Sequence, residues 1–115
     1  MQKISWNDDL ATLAQNWMNQ CMFQHESNRI NRSFPDLSVG QNLGYFERNR
    51  PYVIQSLFRK VIKMWFEEYK YFPPDFISPY QYPSKIHQDI QTGHFTQMVW
   101  ANTNQVKICT VPAPC

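Results

Sequence analysis

The sequence predicts a single α+β domain, and three observations predict it. Two segments of helical periodicity, one from Asp8 and one from about Pro51, each gather apolar residues on one side. A short extended segment, 105–111, is bounded by Pro112 and Pro114. At 115 residues the chain is long enough for one hydrophobic core and too short for two.

The first helix is predicted to begin at a capping-box-like Ser5-x-x-Asp8, with aspartate where glutamate is usual, and Asp8 and Asp9 suit the positive end of the helix dipole. From Leu10 onward, Leu13, Ala14, Trp17, Met18, Cys21 and Met22 recur at helical spacing and form one continuous face. Extended to His25, the same wheel places the imidazole about 40° from the centre of that face, in the last turn and aimed toward the core.

Residues 26–49 are rich in Asn, Arg, Ser, Gly and Pro and read as a long loop, interrupted by the segment Gly40-Gln41-Asn42-Leu43-Gly44-Tyr45-Phe46. Asn31-Arg32-Ser33 is a glycosylation sequon that matters only if the chain is secreted. Asn49-Arg50-Pro51 is the expected start of the second helix. Its predicted inward face is Val53, Leu57, Val61, Met64 and Trp65, with Arg59, Lys60, Lys63 and Lys70 on the other side. The basic amphipathic pattern is that of a core-facing helix in preference to a membrane-surface one.

Glu68 lies within about 10° of the centre of that apolar face, whereas Glu67 is about 90° away. A carboxylate there must be hydrogen-bonded, paired or metal-bound, because burying it alone costs several kcal/mol. Pro73-Pro74 ends the helix, and 69–82 then gathers Tyr69, Tyr71, Phe72, Phe76, Tyr80 and Tyr82 in a segment with little regular structure. Residues 93–103, GHFTQMVWANT, fit a buried strand or turn that carries one polar group, His94, inward. A turn at Asn102-Thr103-Asn104 leads into the closing strand.

Composition narrows the function classes. Apolar residues are 43% of the chain and charged residues 17%, which is globular and not disordered. The net charge of +2 is spread without a basic run, which argues against nucleic acid. No apolar stretch is long enough to span a membrane, and no segment has the pattern of a targeting peptide. The odd cysteine count, three, leaves at least one thiol without a partner in the chain. Neither Ser38, which lacks a G-x-S-x-G context, nor Cys21, expected as a structural thiol on the core face, reads as a nucleophile.

Taken in order, Trp6-Asn7-Asp8-Asp9-Leu10-Ala11, Ala14-Gln15-Asn16-Trp17, Asn19-Gln20-Cys21, His25, Gly40-Gln41-Asn42-Leu43, Lys63-Met64-Trp65 and the 93–103 stretch resemble the CAP superfamily of cysteine-rich secretory, antigen 5 and pathogenesis-related proteins. The likeness is nearest to the insect venom antigen 5 group and runs from about Lys3 to Cys109. It implies an α-β-α sandwich with an antiparallel sheet between helices, of which this chain is expected to hold a single partial copy, residues 1–115, lacking the first helix and final strands. It also implies a secreted protein.

In the family, two histidines and two acidic residues line a central cleft, which carries over to His25, Gln41, Glu68 and His94. Gln41 stands where other members have glutamate, and an amide cannot exchange a proton, which argues against hydrolysis by paired carboxylates. Two imidazoles and one carboxylate, His25, Glu68 and His94, make a candidate first shell for a divalent metal such as zinc; a hydrogen-bonded polar cluster is the other reading. The aromatic segment has two readings as well. It is either a ligand loop of Tyr69, Phe72, Phe76 and Tyr80 over a lipid or sterol, or ordinary packing.

By the same resemblance, the counterparts of Cys21 and Cys109 pair with cysteines that this chain lacks, which leaves Cys109–Cys115 as a candidate bridge. Lys107 departs from the family, which commonly has glycine there. The function implied is a non-enzymatic binding protein acting through surface loops on a protein or lipid ligand. A metal-dependent hydrolase and an inert gene fragment are the alternatives.

Overall fold

The computed structural model describes residues 3–27, 33–34, 37–46, 53–81 and 91–109. The chain divides into two compact units, residues 1–45 with 101–115, and residues 46–100. Helices and short strands are both present, as an α+β chain requires.

In the first unit, β1 (Ser5–Trp6) precedes α1 (Asp8–Met18), which starts where the acidic pair predicts. Its cap is Asn7 and not Ser5. Asn7 is extended, and its Oδ1 accepts the N–H groups of Asp9 and Leu10 at 2.8 and 2.9 Å. Ser5 is drawn into a strand instead. β1 pairs in parallel with β4 (Gln105–Val106), and both the N–H and the Oγ of Ser5 donate to the Asn104 carbonyl. Asn7 joins the two features, because its Nδ2 donates to Gln105 Oε1 at 2.6 Å. Asn7→Ala is therefore expected to destabilise the fold by about 2 kcal/mol, roughly 1 for the cap and 1 for the strand contact, read as a lower urea midpoint.

The helix stops at Met18, earlier than its apolar periodicity suggests. Asn19 closes it through N–H donation to the Gln15 carbonyl, and Cys21 then takes a left-handed φ of 56° that turns the chain away. Trp17 is the anchor: it is 8% exposed, and its indole N–H donates to the Gln24 carbonyl. Leu10, Leu13, Ala14 and Met18 are half-buried beside it, whereas Cys21 and Met22, expected on the core face, are exposed. His25 accordingly lies outside the helix, in an exposed position. β2 (Ser33–Phe34) and β3 (Leu37–Ser38) form a separate antiparallel pair. The antiparallel sheet implied by resemblance is thus represented, among the described residues, by one short antiparallel and one short parallel pair. Among the described residues of the strand expected over 105–111, ladder pairing is confined to Gln105–Val106, and residues 110–111 lie outside the described residues.

In the second unit, α2 (Ile54–Glu67) follows Val53, which offers no side-chain cap. The predicted start at Asn49-Arg50-Pro51 and the sequon positions Asn31 and Arg32 lie outside the described residues. No residue of α2 is buried. Leu57, Val61 and Trp65 are half-buried as their phase requires, but Val53 and Met64, expected inward, are exposed. The elements packed on α2 are small and sit at its C-terminal end, namely a 3-10 turn (Glu68–Tyr71) and α3 (Gly93–Met98). The aromatic segment is more regular than expected. It holds that turn, a second one (Pro74–Phe76) and a bridge between Ile77 and Tyr80. Phe72, 8% exposed, is its centre, with ring centroids 6.5, 6.4 and 6.0 Å from Phe76, Tyr80 and Phe95.

Candidate functional site

Of the candidate residues, the structure joins His94 to Glu68 and His25 to Gln41. Glu68 opens the 3-10 turn that continues α2, where it retains the inward phase read from the sequence. Its Oε1 lies 2.6 Å from His94 Nδ1, and its Oε2 accepts the Phe95 N–H at 3.0 Å. The Thr92 cap of α3 makes no side-chain bond, so Glu68 supplies from a neighbouring element the acceptor that a local cap would provide. The negative charge at the start of α3 also complements its backbone dipoles.

Trp65, one turn before Glu68, holds the other surface of the same imidazole. The two rings are stacked, with centroids 5.4 Å apart and planes 11° from parallel. His94 is therefore held at its edge by Glu68 and on its face by Trp65. This arrangement makes 93–98 a helix and not the strand or turn expected. The signal for it is split, since Trp65 and Glu68 share one helical face while their partner lies 26 residues further on.

The second pair belongs to the first unit. His25 Nδ1 is 2.8 Å from Gln41 Oε1, which also accepts the Glu26 N–H at 3.1 Å. Gln41 is half-buried, and its amide gathers the 25–26 backbone and the imidazole. Glu26 is buried, a feature that sequence reasoning misses because the residue sits in a stretch that reads as polar loop.

The candidate zinc ligands His25, Glu68 and His94 are each engaged with a protein neighbour. Both Glu68 oxygens are turned to the α3 backbone and the His94 ring, and each of the two imidazoles has its Nδ1 against a side-chain oxygen. Among the described residues no three His, Cys, Asp or Glu side chains form a group that could hold a metal ion.

Cysteine pairing also departs from expectation. Cys21 is disulfide-bonded and not a free structural thiol, while Cys109 is a free thiol, so it does not form the expected bridge to Cys115. Cys115 itself lies outside the described residues. Burial raises the Cys109 thiol above its ordinary range, an effect partly offset by the Lys107 charge, and its Sγ is 3.5 Å from the Ala11 carbonyl. Lys107 has a further partner, the Trp6 ring, whose centroid is 3.7 Å from Nζ. Alkylation of Cys109 by iodoacetamide at pH 7 is expected to be slower than that of an unstructured cysteine peptide. It should accelerate as pH rises through the raised value, because the thiolate is the nucleophile.

The aromatic residues singled out as a ligand loop divide between packing and exposure. Phe72 is buried and Phe76 half-buried, while Tyr69 and Tyr80 are exposed. The rings are continuous: Phe66 and Tyr69 meet Phe95, Phe95 meets Phe72, Phe72 meets Tyr80, and Tyr80 meets Trp100 at 5.1 Å. No helix among the described residues is long and apolar enough to cross a membrane.

Comparison with known proteins bears on this arrangement. The chain is 35% identical over 106 residues to venom allergen 5.02 of Vespa crabro, covering 92% of this chain and 46% of that protein. It is 35% identical to venom allergen 3 of Solenopsis invicta, covering 42% of it, and 34% identical to venom allergen 5 of Tityus serrulatus, covering 24% of it. The chain thus spans less than half the length of these relatives. No solved structure matches it. The model of the cysteine-rich secretory protein family matches residues 1–107, and the chain belongs to that family, the CAP proteins.

Proposed function

We propose that the chain acts as a non-enzymatic binding protein of the antigen 5 kind, taking an apolar ligand of the lipid or sterol type on its aromatic segment. The observation that carries this reading is the commitment of Glu68. Its two oxygens face His94 Nδ1 and the Phe95 N–H at the start of α3, which supports a structural role for the carboxylate. The other pair has an amide, Gln41, beside its imidazole and offers no exchangeable carboxyl proton.

The continuous rings from Phe66 to Trp100 give the ligand a surface of the right chemistry, with Tyr69, Tyr80 and Trp100 exposed along it. Tyrosine and tryptophan combine apolar area with a polar tip, which suits amphipathic ligands. Work outside the cell accords with the disulfide at Cys21, since such bonds persist in oxidising compartments.

Titration with a sterol or fatty acid, followed by tryptophan fluorescence, tests the proposal. A saturable change is expected, weakened about tenfold in Tyr80→Ala and absent in Trp100→Phe, and lipid should accompany the purified protein in mass spectrometry. A chain that takes up no lipid, or that hydrolyses esters in a His94-dependent way, would overturn it.

A further inference from the structure

No residue of α2 is fully buried, and beside its half-buried face of Leu57, Val61 and Trp65 further apolar residues stay exposed. Its exposed apolar residues include a stripe at one-turn spacing: Ile62 is 37% exposed, Phe66 47%, and Tyr69, in the turn that continues the helix, 45%. About 60° round the helix from Ile62 lies Arg59, with Lys63 one turn further along, so a basic ridge runs beside the stripe. Both cations are exposed and neither makes an ion pair among the described residues. The neighbouring charges are otherwise engaged. Lys60 lies over the Phe46 ring, Lys70 pairs with Glu67, and Glu68 holds α3.

From this geometry we infer that the stripe and its ridge dock on the surface of an anionic lipid bilayer. Phe66 and Ile62 enter the boundary of the acyl chains, Tyr69 sits at headgroup depth with its hydroxyl outward, and Arg59 and Lys63 meet lipid phosphates and carboxylates. An apolar row flanked by cations is what a helix lying in the interface plane requires. Charge complementarity selects this occupant over a second copy of the chain. A two-fold pairing of α2 on itself would leave both basic ridges without counter-charge, and side by side if the helices ran antiparallel, whereas anionic lipid neutralises them.

Cosedimentation with vesicles of phosphatidylcholine alone, and with about one-third phosphatidylserine, provides the test. The full chain is expected to bind the phosphatidylserine vesicles and not the neutral ones, and raised salt should weaken the binding. Arg59→Glu with Lys63→Glu is expected to weaken it more than tenfold, and Ile62→Asp about tenfold, with far-UV circular dichroism confirming that each variant is folded. Lys3→Glu, a charge change in the other unit, should leave it unchanged.

Equal binding to both vesicles, or full binding by the charge-reversed variant, would overturn the inference. So would a concentration-dependent dimer that Ile62→Asp abolishes in a chain that ignores vesicles, since the stripe would then be a protein interface. The fluorescence titration at Trp100 uses none of Arg59, Lys63 or Ile62, so loss of vesicle binding with intact sterol uptake separates this inference from the ligand reading.

Discussion

Replacing Glu68 with alanine is expected to lower the thermal midpoint by about 8–16 °C. The carboxylate makes two contacts, to His94 Nδ1 and to the Phe95 N–H, and its side chain and that of His94 are only 15% and 20% exposed. Hydrogen bonds to charged groups are worth about 1.5–3 kcal/mol each, and partial exposure reduces that, which leaves about 2–4 kcal/mol for the pair. For a domain of this size each kcal/mol moves the midpoint by about 4 °C.

Hydrogen exchange gives a local reading of the same event. Without Glu68 the first turn of α3 has no side-chain acceptor, so the Phe95 amide should lose protection while amides of α1 keep theirs. Glu68→Gln retains an acceptor without the charge and should cost about half as much. A Phe95 amide that stays protected in Glu68→Ala would show that α3 is held by packing alone.

Phe72→Ala is expected to be comparably severe. Phe72 is nearly enclosed and meets the rings of Phe76, Tyr80 and Phe95, so truncation removes apolar area and leaves a cavity. Such a change costs about 3–5 kcal/mol, which should appear as a sharply lower midpoint in guanidinium. Phe23, which meets Tyr45 at 5.6 Å and is largely exposed, is the control. Phe23→Ala should cost under about 1 kcal/mol. Equal losses would mean that the rings around Phe72 do not form a core.

The residues of α1 and α2 show how far sequence pattern reaches. The phase of Leu10, Leu13, Ala14 and Trp17 locates the inner face of α1, and the phase of Trp65 and Glu68 correctly places an acid against something polar. Periodicity carries no information about where a helix ends when apolar residues continue by chance. Cys21 and Met22 fit the wheel, yet a left-handed φ at Cys21 has already broken it and left His25 outside.

Long-range partners are invisible for a related reason. Asn7 competes with Ser5 for the capping role, and the winner is decided by β4, whose residues lie nearly a hundred positions away. The helix at 93–98 depends on an acceptor donated from 68, so its local sequence reads as strand or turn. Family resemblance singled out four positions as candidates, but the pairing of His94 with Glu68, and of His25 with Gln41, required the fold.

The pairing of Ser5 with Gln105 and of Trp6 with Val106 dictates an order of events during synthesis. Closing a loop of that length costs about 4 kcal/mol of chain entropy, more than a two-residue ladder returns by itself. Residues 46–100 form a continuous unit and are free to fold as they leave the ribosome, while the other unit is interrupted by them in sequence. Until residue 106 emerges, Trp6 and the backbone of β1 stay unmatched. During that interval the N-terminal strand is an open edge, and a chaperone that shields such edges would be expected to act on this part of the nascent chain.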